Sequence, residues 1–387
     1  MTLPTGETPS ATLEAGFAAS HSQDLEVAAF YLPQFHEIPE NNEWWGEGFT
    51  EWTKVQQARP LYPGHLQPQI PRDGYYALDE ADVLERQFAL ASEHGITAFC
   101  MYAYWFGGRR LLEKPLRLLM DAPDLEVRYF LCWANESWSR VWDGGDKDLL
   151  MKQHHSALSD ARIIDDLAEH LVDPRYVRIN GKPLFLVYRA ELLDEPPRTV
   201  DALRDRAQAL GIGELHLSMV QSFNLVNPDP YGFDSAVEFV PHGTVEPANI
   251  IDPSSPEWPH LYDPTTWDGT LVDYNRTVNW AVSKPPPEFR WFRSAMPGWD
   301  NSPRRGVRST VYFNDNTKAF RRWLDALVDY TYRFGDAEAR LLFINSWNEW
   351  GEGAQLEPDL DRGDARLKTV AAAVQRASAL AQSPAAW

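Results

Sequence analysis

The chain of 387 residues carries 56 acidic against 36 basic side chains, a formal net charge of −20, with 44% apolar and 13% aromatic residues. A surface this negative is repelled by phosphate backbones, which sets nucleic acid aside as a partner. No apolar run approaches the roughly 18 residues of a membrane span, and the length suits one large α/β barrel or two ordinary domains.

Residues 1–24 are rich in Thr, Ala, Ser and Pro and lack the basic and apolar regions of a signal peptide. They are expected to be a disordered leader, and the expected compartment is the cytoplasm. From Leu25 the pattern E-V-A-A-F-Y-L-P-Q-F-H predicts a short buried strand ended by Pro33. Asn41 to Pro71 has little helical period and reads as a long surface excursion. It holds W-W-G-E-G-F-T-E-W, which clusters Trp44, Trp45, Glu47, Glu51 and Trp52.

Helical spacing runs from Leu78 to His94 and is closed by Gly95. I-T-A-F-C-M-Y-A-Y-W-F then reads as a strand ending in rings. Leu111 to Met120 is helical, and V-R-Y-F-L-C-W-A-N-E-S-W is again a strand, running into Asn135, Glu136 and Trp138. Ser156 to Leu171 and Val200 to Leu210 are helical, each followed by a strand. Pro241 to Pro287 is proline-rich and reads as a long loop region with a short helix within Leu271 to Val282. Thr317 to Phe334 is amphipathic, with Phe320, Trp323, Leu324, Leu327, Val328 and Thr331 on one face. The apolar run Leu341 to Asn345 opens into W-N-E-W-G-E-G, and Arg366 to Leu380 closes the chain as a helix.

Eight strands result, near residues 27–32, 97–102, 127–133, 184–188, 215–220, 235–239, 291–296 and 341–346, most separated by a helical pattern. Such βα units predict a parallel sheet, and eight of them favour a closed (β/α)8 TIM barrel with long βα loops. A doubly wound open sheet is the alternative, but no glycine fingerprint for a dinucleotide or phosphate follows the first strand. Cys100 and Cys132 lie in apolar runs and read as buried free thiols, with a bridge between adjacent strands as the alternative. No zinc spacing is present, and no metal or cofactor is called for.

Catalytic residues of barrels come from the C-terminal strand ends. Amide, carboxylate and ring recur there: Gln34 and His36 after the first strand, Tyr102, Tyr104 and Trp105 after the second, Asn135, Glu136 and Trp138 after the third. Trp299 and Asp300 follow the seventh, and Asn348, Glu349, Trp350, Glu352 and Glu357 the eighth. Trp52 and His154 complete the candidate substrate-binding set. Sixteen tryptophans, several beside polar residues, suit sugar rings stacking on indole, core packing being the plain alternative. Glycoside cleavage needs one protonated carboxyl and one base or nucleophile, and Glu349 and Glu352, three apart in one loop, are the candidate pair. Pairing of one of them with Arg362, or use as a helix cap, is the structural alternative. For Asp300 the alternative is an ion pair with Arg304 or Arg305, and for His154 a place on the polar surface.

These motifs carry a family resemblance. A-F-Y-L-P-Q-F-H, N-x-W-W-G-x-G-F-T-E-W, G-I-x-A-F-x-x-Y-x-Y-W-F, W-A-N-E-x-W-x-R-x-W-D-G, P-G-W-D-N and F-I-N-S-W-N-E-W-x-E-G make Ala28 to about Leu367 similar to the WbsX-like proteins. Through N-E-W-x-E-G-x-Q-x-E-P the chain also resembles the endo-acting α-mannosidases and α-mannanases of glycoside hydrolase family 99. That resemblance implies a single catalytic barrel over residues 25–387 acting on an α-linked poly- or oligosaccharide with retention. It implies Glu349 as the base assisting the sugar's 2-hydroxyl and Glu352 as the general acid/base. Gly351 stands where those hydrolases usually have His. WbsX-like proteins are also described as glycosyltransferases of polysaccharide synthesis, although no D-x-D motif is present. A non-catalytic carbohydrate-binding barrel is the third reading.

Overall fold

The computed structural model describes residues 25–140, 145–223, 225–336 and 339–382; the leader expected over residues 1–24 lies outside them. Eight strand positions run in parallel: β1 Glu26–Tyr31, β2 Ala98–Phe106, β3 Arg128–Trp133, β4 Lys182–Val187, β5 His216–Gln221 and β6 Ser235–Glu238, then β7 in two pieces, Trp291–Phe292 and Ser294–Ala295, and β8 Leu341–Ile344. Each pairs with the next in chain order. β8 pairs back onto β1, where Ala28 lies opposite both Phe343 and Ala98, so the sheet closes on itself. The strands are buried on both faces, which is why they read as near-continuous apolar runs instead of alternating ones. β7 is broken at Arg293, whose Nε donates outward to Glu238 Oε2 at 2.8 Å while its carbonyl accepts from Phe343 N at 2.9 Å.

The barrel interior is filled by rings. Phe30 meets Tyr102 at 5.8 Å, Phe343 at 5.5 Å and the edge of Phe239 at 5.0 Å, and Phe130 meets Phe343 at 5.7 Å. Large aromatics at inward positions close the bore and leave the open end of the barrel as the place for chemistry.

The helical readings hold for α3 (Ala81–Glu93), α4 (Lys114–Asp121), α5 (Ile163–Val172), α6 (Pro196–Ala209), α9 (Thr317–Phe334) and α10 (Ala365–Ala381). Gly95 takes φ +80° just past α3, and a Cβ there would sit 3.1 Å from Val374 of α10, so both the turn and the helix contact call for glycine. On α9 the five residues from Phe320 to Val328 read as core are buried, and Asn316 caps the helix by accepting from Ala319 N at 2.9 Å.

Two connections differ from expectation. The segment 41–71 is not structureless: α1 (Pro39–Trp45) and α2 (Glu51–Gln57) fold within it, because Trp52 and Val55 bury one face of α2. Pro241 to Pro287 contains a strand, Thr270–Asp273, ahead of α7 (Tyr274–Val282); it pairs in parallel with Thr310–Phe313 from the β7–β8 connection. Short apolar runs amid prolines do not announce such a distant partner. Between β5 and β6, where the sequence shows no helical pattern, the described residues form a 3-10 turn, Asp229–Tyr231. Cys100 and Cys132 are buried free thiols on adjacent strands, as expected.

The loop after β8 is tied to β1. Trp347 N donates to Phe30 O at 2.8 Å, and the buried Asn348 amide both accepts from Leu32 N at 2.7 Å and donates to Leu32 O at 2.9 Å. Asn348→Ala would leave two buried backbone groups unpaired, and we expect it to lower stability by about 1–3 kcal/mol, measured by denaturant unfolding.

Candidate functional site

At the open end of the barrel one guanidinium gathers three carboxylates. Arg304 is carried by α8 (Ser302–Arg305), the short turn after β7. Its Nε donates to Glu51 Oε1 at 2.7 Å, its Nη2 to Glu349 Oε2 at 2.7 Å, and its Nη1 pairs with Glu352 Oε1 at 2.6 Å. Glu51 opens α2, Glu349 follows β8, and Glu352 ends the 3-10 turn Trp350–Glu352. Gly353, at φ +63°, turns the chain after Glu352 so closely against Asp300 that a Cβ would lie 3.0 Å from its backbone nitrogen. Asp300 N donates to Glu352 O at 2.6 Å, which couples the loops after β7 and β8.

The acids differ in exposure. The side chain of Glu51 is fully buried and that of Glu349 is 7% exposed, whereas Glu352 shows 21% to solvent. Glu352 is therefore the member best placed to meet a ligand arriving from outside. Burial pushes the Glu349 carboxyl up to about 8, against the pull of Arg304 and with the help of Glu352 and Glu51. Burial also raises Glu352, again opposed by Arg304 and reinforced by Glu51. Three carboxylates cannot all be neutralised by one guanidinium, so the pair Glu349 and Glu352 retains a proton at neutral pH.

A ring of polar aromatics surrounds this cluster. The Tyr104 hydroxyl accepts from Gln34 Nε2 at 3.0 Å, and Tyr104 feels the charges of Glu349, Arg304 and Glu136. Tyr102 lies within the field of Glu349, and Tyr188, after β4, within that of Glu136 and Glu352. Trp138, a part-exposed indole, packs edge-on against Tyr104 at 5.4 Å and against the equally part-exposed Trp44 at 5.8 Å. Glu136 pairs with Arg189; burial raises its carboxyl while Arg189 lowers it.

Residues 27–370 match the family described as Glycosyltransferase WbsX. The chain belongs to the WbsX family. A protein of Xanthomonas campestris pv. campestris, named "Uncharacterized protein WxcX", is 41% identical over 357 residues in each of two strains; the match covers 91% of this chain and 50% of the relative. The chain thus spans about half the length of the curated relatives it matches. Among solved structures it is similar to the GH99 endo-alpha-mannosidase from Bacteroides thetaiotaomicron, at TM-score 0.56 and 16% identity, over 92% of this chain and 99% of that one. A second structure, described as a glycoside hydrolase-like protein, matches at TM-score 0.56 and 15% identity over 91% and 94% of the two chains. At such identities the likeness concerns the fold: this WbsX chain shares a TIM barrel with them.

Within this WbsX fold the residues singled out in the sequence fall into groups. Glu349, Glu352, Gln34, Tyr102, Tyr104, Glu136 and Trp138 converge at the cluster and its rim. Trp299 and Asp300 line a neighbouring cavity of about 170 Å3 with Tyr62, His65, Tyr312 and Arg362. The Asp300 carboxylate accepts from Gln67 Nε2 at 2.6 Å and meets His65 Nε2 at 2.7 Å, and these partners with Ser302 N hold it below its usual range despite burial. Its ion pair is with His65. Arg362 pairs with Asp315 and Asp359, not with the catalytic candidates.

Other candidates are held inside the framework. Trp52 donates from its indole to Tyr76 O at 2.6 Å, and Trp105 to Asp166 at 2.6 Å beneath α5. Asn135 clamps the backbone of Arg189 through two bonds. Glu357 accepts from Trp350 Nε1, Tyr76 and Gln87, and burial raises it to about 7. His36 is buried near Lys114, Glu113 and Asp79, where burial lowers it to about 4. His154 is exposed, and it is His155 that packs against Asp160 and Asn135 O. The surplus of tryptophan is thus largely structural: Trp105, Trp133, Trp323, Trp347 and Trp350 are among the largest fully buried side chains.

Arg304, Glu51 and Tyr188 were not in the candidate set. Arg304 sits in P-G-W-D-N-S-P-R-R, and Glu51 in the tryptophan cluster, both segments already marked as unusual. Pairing them requires the fold.

Glu349 and Glu357 keep their protons in the folded chain to about 8 and about 7, against an ordinary 4.5. Raised acids contribute stability that is present below the unfolded pKa and is lost as pH climbs through the folded value. We expect unfolding free energy to decline as pH rises from about 5 to about 9, with a shallower decline in Glu349→Gln, read by denaturant titration at each pH.

Proposed function

We propose that this barrel is a glycoside hydrolase acting on an α-linked poly- or oligosaccharide, mannan-like or of a bacterial surface polysaccharide, with retention of configuration. The observation that carries the reading is the Arg304 cluster: two acids with raised pKa values, one part-exposed, set at the mouth of a TIM barrel and rimmed by Tyr104, Tyr188 and Trp138. Acid/base chemistry at a sugar needs such a pair, and aromatic walls suit sugar faces. The GH99 endo-alpha-mannosidase similarity and the N-E-W-x-E-G motif support the same choice.

In this reading the one proton shared by the coupled pair sits on Glu352 in the reactive form, so that Glu349, as carboxylate, takes the proton of the 2-hydroxyl while that oxygen displaces the leaving group from the anomeric carbon. Glu352 gives its proton to the departing glycosidic oxygen. Water then opens the 1,2-anhydro sugar: Glu352 takes the water's proton, and Glu349 returns its proton to the 2-oxygen. Two inversions at the anomeric carbon give retention. Arg304 holds both acids on one planar fork through the sequence, and its fixed charge stabilises whichever carboxylate is ionised.

The pair must hold one proton between them. Activity is therefore expected to rise as pH passes the Glu352 value, which lies above 4.5, and to fall as it passes about 8, where the last proton leaves. Glu349→Gln and Glu352→Gln should each cut turnover about 10²–10⁴-fold without loss of fold. A glycan panel with product anomers followed by NMR, and circular dichroism of both variants, checks this; wild-type rates in both would overturn it.

The family description favours a second reading, a glycosyltransferase of surface polysaccharide synthesis. Calorimetric binding of a nucleotide-sugar, together with no hydrolysis of any glycan in its absence, would establish that reading in place of the first.

A further inference from the structure

We infer that Glu51 is a positioning residue of the acidic site: its carboxylate fills the space beside Gly351 and fixes the guanidinium on which Glu349 and Glu352 are aligned. The inference rests on the assignment of those two acids to the site and adds a third chain segment to it.

Three observations carry it. Glu51 is fully buried, and its Oε1 takes the Arg304 Nε at 2.7 Å, leaving the two terminal nitrogens of the fork for Glu352 and Glu349. A guanidinium offers two hydrogen-bonding edges and its inner nitrogen, so anchoring Nε removes the rotation that would otherwise let the fork favour one acid over the other. Second, Glu51 is itself immobilised. Its backbone N donates to Gln34 O at 3.1 Å, and Trp52 beside it is wedged between Phe35 at 4.5 Å and Trp350 at 5.6 Å. Third, a Cβ built on Gly351 would lie 1.9 Å from Glu51 Oε1 and 2.7 Å from Arg304 Nε. Gly351 lies between the two acids in sequence, and its φ is not in the left-handed region, so glycine is required there by space alone. A side chain at 351 and a carboxylate at 51 exclude one another.

An ion pair that only braced the fold would stabilise the loop and leave the titration of Glu349 untouched. The groups acting on that carboxylate are Glu51 from α2, Arg304 from α8 and Glu352 from its own loop, with Tyr102 and Tyr104 of β2 within its field; Arg305 acts on Glu352, and Tyr188 lies within the field of Glu352 and Glu136. Glu51 is one of the negative charges that raise Glu349. Its neutralisation removes that charge and frees Arg304 to serve the remaining two acids, and both effects lower the Glu349 midpoint.

The test follows carboxyl carbons by NMR in protein labelled with 13C-glutamate, the Glu349 signal being assigned by its loss in Glu349→Gln. Glu51→Gln is expected to lower the Glu349 midpoint by about one pH unit. In parallel, Gly351→Ala should depress the melting temperature in the wild-type background and have little further effect on Glu51→Ala, a non-additivity expected only of residues in contact. Should Glu51→Gln fail to fold, Glu51→Asp, which keeps the charge and withdraws the carboxylate, gives the second reading: Gly351→Ala becomes tolerated. An unmoved midpoint in Glu51→Gln, or a Gly351→Ala penalty equally large without Glu51, overturns the inference. These readouts use no substrate, so a glycan panel without turnover alongside a shifted midpoint would count against the hydrolase reading and in favour of this one.

Discussion

One guanidinium decides how the open end of this barrel is built. Arg304, Glu51, Glu349 and Glu352 come from three connections that are remote in sequence, and they meet because β1, β7 and β8 are neighbours in the closed sheet. Removing charges from water is costly, and the cost is met here only in part, since three acids share one base. The imbalance raises Glu349 and Glu352 above the ordinary carboxylate range, within a site that is buried yet reaches solvent through Glu352.

The rest of the structure can be understood as support for that arrangement. The interior rings around Phe30 and Phe343 stiffen the barrel below the site, and Asn348 and Trp347 bolt the β8 loop to β1. Glu357, with its three donors from Trp350, Tyr76 and Gln87, pins the far side of the same loop. A loop rich in glycine and carboxylate would otherwise be mobile; here each turn of it is held by a buried polar contact, and groups that must keep their geometry during proton transfer gain from such preorganisation.

Much of this was legible from residues 25 to 382. The eight strands announce themselves because parallel strands buried on both faces need continuous apolar runs, and β1, β2, β3 and β8 have them. The amphipathic α9, with its Asn316 cap and buried Phe320, Trp323 and Leu327, follows from spacing alone. The acids after β8 stood out as carboxylates beside glycine and indole at a strand end, although one of them, Glu357, proves to brace the loop. The outlying strand Thr270–Asp273 was hidden, since its partner Thr310–Phe313 is some forty residues away and its pattern is short. The tryptophans misled in part: an indole at a strand end or beside a polar residue in sequence, as with Trp105 and Trp350, can be fully buried when its one N–H finds a carboxylate such as Asp166 or Glu357.

What the sequence by itself determined is the barrel and the edge at which chemistry gathers, because both follow from local periodicity and from residue types at strand ends. Which of those residues face one another was decided only by the tertiary structure. Asp300 turns to His65 and Gln67, while Arg304, four residues on, turns to Glu51, Glu349 and Glu352. Nothing in the local pattern distinguishes those two fates. They are settled by closure of the sheet, which brings the loop after β7 against that after β8 and packs α2 over both, leaving room beside Gly351 for a carboxylate and for no side chain of its own.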